Sequence, residues 1–384
     1  MSLPPLHVVL WHMSSQNLPL RCWTELNADA LRHNAAVARE MGGPDIMAVV
    51  KANAYGHGAG WTAWTLQDSV AMFGIANLRE AQELRAAGIQ KPLFLLSPCL
   101  QEEWESAVQM GCHISVSSLQ EAIALDRLAQ RLETKALLHA VLDTGMGRIG
   151  FLEDAWDEST MAALGLLKHV IWEGITTHLP SADEDAAFTR AQVARFRQAV
   201  ERARGMGLRP KWIHASNSAG LLGYEEQRGF CNLTRPGLML YGVSPLPEEQ
   251  SRLKPVLTWK TRVTLVRDLP AGHGVSYGST YITERPTRVA TLACGYADGY
   301  PRQASGQGAH VIIGGALCPV LGRVTMDQMM VDVTAGAGAQ PGDEAILIGA
   351  QRANKVTATE VAAWSNTIEW HVFTSIGPRV PRLV

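Results

Sequence analysis

Hydrophobic and polar positions change their period along the chain. From about residue 46 to residue 242, short apolar or β-branched runs alternate with longer stretches of helical periodicity. Eight runs carry the pattern: IMAVVK (46–51), MFGIA (72–76), LFLLS (93–97), HISV (113–116), ALLHAVLD (136–143), VIWEGITTH (170–178), KWIHAS (211–216) and GLMLYG (237–242). Such an alternation is what parallel strands joined by crossover helices require. The helix-like segment LREAQELRAAG ends on Gly88, and AFTRAQVARFRQAVERARGMG ends at Gly205 or Gly207, where a helix C-cap favours glycine. Eight such units in roughly 200 residues predict a (β/α)8 barrel of the TIM type.

Past about Pro255 the texture changes. VLTWKTRVTLV, RVATLAC, AHVIIGG, QMMVDVT and EAILIGA are strand-like and separated by Gly, Pro and Asp turns, and TATEVAAWSNT alone has helical spacing. The expected organisation is an N-terminal extension over residues 1–20, an α/β barrel domain over 21–255 and a C-terminal mainly-β domain over 256–384.

Composition narrows the class of partner. The chain has 384 residues, 47% hydrophobic and 18% charged, as a soluble globular protein with a substantial core requires. With 34 basic against 36 acidic residues the formal charge is −2, so no overall field favours nucleic acid or an anionic membrane. The expected partner is a small molecule or a second subunit. Six scattered cysteines form no C-x-x-C pair, which points to neither a metal site nor a disulfide framework. The opening MSLPPLHVVLWHM lacks the basic region of a secretory signal, and no apolar run approaches the ~20 residues of a membrane span. The cytoplasm is the expected location.

In a barrel of this kind the loops after the strands build the active site, so polar residues at strand ends carry the chemistry. Lys51 ends the first run. Asp143 and Arg148 (DTGMGRIG), His178 (TTHLPSADE), His214 with Asn217 and Ser218 (HASNSAG), and Arg235 (RPGLMLYG) occupy comparable places. Each alone has a plainer reading, as a solvated lysine stem, a satisfied histidine or a helix cap. Their convergence on one barrel mouth favours a site. SNSAG offers a hydroxyl at a helix start and RPGLM offers peptide N–H groups, both suited to phosphate. A phosphate site beside a strand-end lysine suggests pyridoxal phosphate, whose aldehyde condenses with a lysine amine. Such an amine, held neutral, avoids the cost of burying a lone ammonium.

Eight segments in order, AVVKANAYGHG, DTGMGRIG, THLPSADE, HASNSAG, RPGLMLYG, GVSYGSTY, CGYADGYPR and GRVTMDQMMVDVT, resemble the alanine racemase family over about residues 21 to 383. The resemblance implies a pyridoxal phosphate enzyme that interconverts L- and D-alanine, supplying D-alanine for peptidoglycan. It also implies a homodimer whose two sites are each completed by the other subunit. By the same match Lys51 holds the cofactor and acts as one base. Tyr277, from the second subunit, acts as the other base, assisted by a hydrogen bond from His178. Arg235 faces the pyridine nitrogen, buttressed by His214. Tyr55, Ser218 and the N–H groups of Gly237 and Leu238 contact the phosphate, with Asn217 beside them. Met326 and Asp327 reach toward the substrate carboxylate, and Arg148 supports either that carboxylate or Tyr277. Asp183, Tyr296, Arg302 and Arg323 match entrance residues, and a role as plain surface or interface charge stays open for each.

Three positions depart from the family. Val141 stands where many members carry a carbamylated lysine, so no such group is expected, and Arg148 needs another anionic partner, Asp143 or a bound chloride. Thr325 replaces a frequent cysteine, and Pro378 replaces a tyrosine that narrows the entrance in some members. Serine or a broader amino-acid range therefore stays open beside alanine. A non-catalytic pyridoxal phosphate carrier is the rival class, and residues 256–384 with Tyr277 argue against it. No metal is expected.

Overall fold

The structure, a computed structural model, describes residues 19–384 apart from Pro44, 226–228 and Ala337. The extension expected over residues 1–20 lies outside the described residues up to position 18. The chain divides into two compact units. One comprises Leu31–Ala54 and Ala59–Lys254; the other holds the residues up to Ala30, Tyr55–Gly58 and Pro255–Val384.

Strand β1, Cys22–Leu26, belongs to the second unit although the sequence reading began the barrel at residue 21. The barrel sheet is parallel and runs in chain order through β2 (Met47–Val49), β3 (Met72–Ile75), β4 (Leu93–Leu95), β5 (His113–Val116), β6 (Ala136–Val141), β7 (Val170–Thr176) and β8 (Trp212–His214). These are seven of the eight predicted runs. Most of their residues are buried, as expected of strands covered on both faces.

The eighth run is placed differently. GLMLYG is no strand: Leu238–Tyr241 is a short 3-10 turn. The gap between β8 and β2 is spanned one step upstream, by residues 232–236. Asn232 and Leu233 donate to the Ile213 carbonyl, while Met47 donates to Thr234 and Val49 to Pro236. Ile46 and Thr234 form a parallel bridge. Pro236 has no N–H with which to continue a ladder, so the pairing ends there and the apolar run after it coils. Tyr241 then fastens the turn by donating its hydroxyl to the Val49 carbonyl, 2.8 Å away.

The crossover helices start where side-chain caps supply acceptors. Asn77 caps Leu78–Ala86, Ser118 caps Leu119–Arg131 and Asp185 caps Ala186–Gly205. Gly88 and Gly207, at φ +83° and +91°, follow two of these helices in the left-handed conformation expected of a C-cap.

In the second unit a nine-stranded sheet is organised around β9, Leu257–Leu269. It pairs antiparallel with β1, from Cys22↔Thr261 to Leu26↔Leu257, with Thr287–Leu292 and with Glu344–Gln351. Leu257, Trp259, Thr261 and Val263 are buried while the residues between them are not, the period-2 pattern of a half-buried strand. The helix predicted in TATEVAAWSNT is Ala358–Trp364, and a further helix, Glu369–Ser375, follows it. Among the described residues no helix is long and apolar enough to cross a membrane, and all six cysteines are free thiols.

Candidate active site

Lys51 follows β2, and the backbone beyond it turns the wrong way for L-residues. Ala52, Asn53 and Ala54 have φ of 52°, 53° and 53° with ψ of 51°, 45° and 50°, and Tyr55 has φ 53°. Four successive non-glycine residues with left-handed φ cost roughly 4–8 kcal/mol together, at about 1–2 each. Local bonds hold the turn. Glu80 accepts from Ala52 N–H through Oε1 and from Ala76 N–H through Oε2, both at 2.7 Å. Asn53 Oδ1 accepts from Ala59 N–H at 2.9 Å, and Ala54 N–H donates to the Val50 carbonyl at 2.8 Å. Strain over-determined in this way is characteristic of functional sites. Glu80→Ala removes both carboxylate bonds, so denaturant unfolding is expected to show a loss of about 3 kcal/mol, with a smaller loss for Glu80→Gln.

Burial, reinforced by the positive charge of Arg148 and opposed by Glu80, lowers the pKa of the Lys51 amine. The fraction of free base at neutral pH is therefore raised. Tyr55 is buried, and burial pushes its phenol pKa up, which keeps it a hydrogen-bond donor.

Arg235 is the hub of the barrel mouth. Its side chain enters from the segment that replaces the eighth strand and is 4% exposed. Nη1 donates to Thr176 Oγ1 (2.9 Å) and to His214 Nδ1 (2.8 Å). Nη2 donates to the carbonyls of Thr177 (2.7 Å) and Ala215 (2.9 Å) and to His178 Nδ1 (3.3 Å). A guanidinium has no acceptor, so His214 must present a bare Nδ1 to it and, as a neutral ring, carries its proton on Nε2; the two Nη2 protons are spread over three acceptors, of which His178 Nδ1 is the longest contact and takes a shared one. Burial, then the charges of Arg235, Arg148 and Lys51, holds the His178 pKa down at about 3, so the ring is neutral. Burial also lowers Arg235 to about 10, which leaves it a cation at neutral pH.

Beside this hub is the turn expected to hold phosphate. Asn217 caps the short helix Ser218–Gly223, its Oδ1 accepting from Gly220 N–H at 2.9 Å and its Nδ2 donating to the Leu179 carbonyl at 2.9 Å. Both polar atoms of Asn217 are thus committed to the fold. Ser218 Oγ accepts from Gly237 N–H (3.0 Å) and Met239 N–H (3.3 Å), which ties the two segments together. The N–H of Leu238, first in its 3-10 turn, has no partner inside that turn.

The DTGMGRIG loop corrects one expectation. Asp143 does not pair with Arg148. Its carboxylate accepts from the N–H groups of Gly145, Met146 and Gly147 at 2.9–3.2 Å, which folds the loop around it. Among the described residues Arg148 has no carboxylate within ion-pair distance, and its charge bears on Lys51 and His178 instead. Val141 is buried at the end of β6.

The second unit carries the remaining residues. Tyr277 is 72% exposed, in a turn where Ser276, Gly278 and Ser279 all have positive φ. Ser276 Oγ donates to the Arg323 carbonyl at 2.5 Å and ties this turn to the GRVTMDQ loop. Tyr296 N–H donates to the Thr325 carbonyl and Ala297 N–H to that of Met326, so the CGYADGYPR loop joins the same surface. Met326, Asp327 and Arg302 are exposed there, and Asp183 is exposed in the barrel unit. Asp327 accepts from Arg379 Nη2 at 2.9 Å, and Arg379 Nε also lies 3.3 Å from Asp298.

Residues 26–245 match the family model of the alanine racemase N-terminal domain, and residues 256–384 match that of the C-terminal domain. The chain belongs to the alanine racemase family. An alanine racemase of Symbiobacterium thermophilum is 42% identical over 365 residues, covering 94% of this chain and 96% of the relative. That of Methylacidiphilum infernorum is 40% identical over 94% of this chain and 92% of the relative. The crystal structure of alanine racemase from D-cycloserine-producing Streptomyces lavendulae superposes with a TM-score of 0.88 at 37% identity, covering 96% of this chain and 97% of that one. Alanine racemase from Streptomyces coelicolor A3(2) gives 0.87 at 35% identity, over 94% and 97%.

Several residues that support the candidate site escaped the sequence reading. Glu80 sits in a helix as an ordinary surface acid would, and Thr176 and Thr177 look like strand-end hydroxyls. Arg379, in IGPRVPR, has its acidic partners 52 and 81 positions away. Only His139 and His113 left a visible signal, as histidines inside the apolar runs ALLHAVLD and HISV.

Proposed function

We propose that this chain is a cytoplasmic, pyridoxal phosphate-dependent racemase that interconverts L- and D-alanine for peptidoglycan synthesis, as a homodimer with shared sites. The carrying observation is the pairing of a strand-end amine of lowered pKa, Lys51, with an arginine hub whose histidines are held neutral.

The residues present fit the cofactor. Arg235 Nε has no protein partner among the described residues, whereas Nη1 and Nη2 are fully used, so Nε–H is the donor left for a pyridine nitrogen. Tyr55, Ser218 and the N–H of Leu238 would hold the phosphate, with the N–H of Gly237, which here donates to Ser218 Oγ, as a shared donor, and Lys51 the aldehyde carbon. Bound pyridoxal phosphate supplies an electron sink for the pair left on the substrate α-carbon.

The protein's own groups then govern the proton. Lys51 Nζ takes or returns it on one face of the α-carbon. Tyr277 of the other subunit does so on the opposite face, because a base held on one face of a planar carbon does not readily reach the other. His178 keeps its Nε2–H to donate toward that phenolate, since Arg235 occupies Nδ1. Arginine donates a hydrogen bond without surrendering its proton, which keeps the ring a moderate sink and favours return of the proton to carbon. Arg148 and Met326 would face the substrate carboxylate, with Asp327 beside them, its charge balanced by Arg379. Asp183, Tyr296, Arg302 and Arg323 would line the entrance.

Racemisation rates for L-alanine, L-serine and L-arginine under one condition test the substrate. Alanine is expected to be fastest. A faster rate with serine would reassign the enzyme, and no turnover of any of the three would refute the proposal.

A further inference from the structure

His214 does not end at Arg235. Its Nε2 lies 2.9 Å from His139 Nδ1, and His139 Nε2 lies 3.0 Å from His113 Nδ1. Three imidazoles from three strands, β8, β6 and β5, with β7 between the first two, form one row across the barrel interior. All three are at most 5% exposed.

The direction of the row follows from its first member. Arg235 can only donate, so His214 Nδ1 must accept and its Nε2 must carry the proton. That N–H donates to His139 Nδ1, whose Nε2–H donates to His113 Nδ1. The reverse polarity would set N–H against N–H at the guanidinium. A second proton on His214 or His139 would break a link in the same way. Burial holds the pKa of His214 and His139 well below the usual imidazole range, reinforced by Arg235 and neighbouring rings. At the far end burial and then Lys211 hold His113 at about 4.

The backbone is shaped around the middle ring. The register of β6 against β7 slips between Leu138 and His139, bringing Gly174 opposite the imidazole. A Cβ on Gly174 would fall on His139 Nδ1 itself. Phe94 packs against His139 and His214, with ring centroids at 4.4 and 5.6 Å.

We propose that His139 and His113 are positioning residues for Arg235: with His214 they form one directed row of neutral imidazoles, each accepting at Nδ1 and carrying its proton on Nε2, that keeps the His214 acceptor turned to the guanidinium. Without an acceptor beyond it, the Nε2–H of His214 would be buried unpaired, and the ring could relieve this only by moving its proton to Nδ1, against Arg235. The effect on turnover rests on the assignment of Arg235 to the cofactor ring; the existence of the row does not.

Neutron diffraction from perdeuterated holoenzyme reads the row directly. Deuterium is expected on Nε2 and absent from Nδ1 in His113, His139 and His214; deuterium on any of these Nδ1 atoms overturns the proposal. Kinetics read the positioning role. His113→Phe offers His139 no acceptor and is expected to lower kcat about tenfold with KM changed less than about twofold. His113→Gln, whose carbonyl can accept, is expected to recover most of that loss. An unchanged kcat in His113→Phe, whatever its melting temperature, or an equal loss in His113→Gln, overturns the positioning role. Should His113→Phe not fold, Gly174→Ala displaces the His139 ring without removing a nitrogen, and the same fall in kcat is expected; an unchanged kcat overturns the role. If the parent enzyme racemised nothing, the nuclear map would still decide the row, so the two failures are distinguishable.

Discussion

Lys51→Ala is expected to abolish racemisation, lowering kcat for either enantiomer of alanine by at least about 10⁴-fold. The loss has two sources in one residue. The amine follows β2 directly, and the left-handed turn behind it, pinned by Glu80 and Asn53, fixes where its chain can go. In the proposed mechanism its removal takes away the covalent attachment point and a proton-transfer group together. Borohydride treatment of the parent protein should leave a pyridoxyl phosphate adduct on the Lys51 peptide, read by mass spectrometry, and none in the variant. An adduct on another lysine, or retained turnover in Lys51→Ala, would show that the amine has been misassigned.

Tyr277→Phe is expected to cost about 10²–10⁴-fold in racemisation, the range of a lost general acid–base group, with little change in the stability of the single chain, where the phenol is exposed. Its diagnostic is asymmetry. In heavy water one enantiomer of alanine should still exchange its α-hydrogen with retained configuration, through Lys51, while the other becomes inert. Equal loss of exchange from both enantiomers would point to a structural role for Tyr277. Undiminished racemisation would remove it from the chemistry.

Seven barrel strands were legible because strands buried on both faces are written as short apolar runs. The eighth position was not, because its short segment, Asn232 to Pro236, mixes polar residues with a proline and carries the Arg235 hub, and hydropathy slid to the apolar GLMLYG next door. CWTEL was assigned to the barrel because nothing in five residues declares a partner 235 positions away along the chain. Asp143 looked like a partner for Arg148 from proximity in sequence. Its carboxylate instead satisfies three backbone N–H groups of its own glycine-rich loop, a local use that spacing alone does not reveal. The residues proposed to touch the chemistry lie in the ordered motifs. The supports behind them, Glu80, Thr176, Thr177 and the extension of the row beyond His214 to His139 and His113, were not singled out, since their part depends on contacts between elements.

In the proposed dimer two proton-exchanging side chains meet from different chains. Refolding or co-expressing Lys51→Ala with Tyr277→Phe tests this most directly. In a mixed dimer one site would receive Lys51 from one chain and Tyr277 from the other, and be whole; its twin would lack both. Random pairing makes half the dimers mixed, so about a quarter of parental activity is expected to reappear from two inactive proteins. Activity no greater than the sum of the two variants alone would place both groups in the same chain and contradict the account.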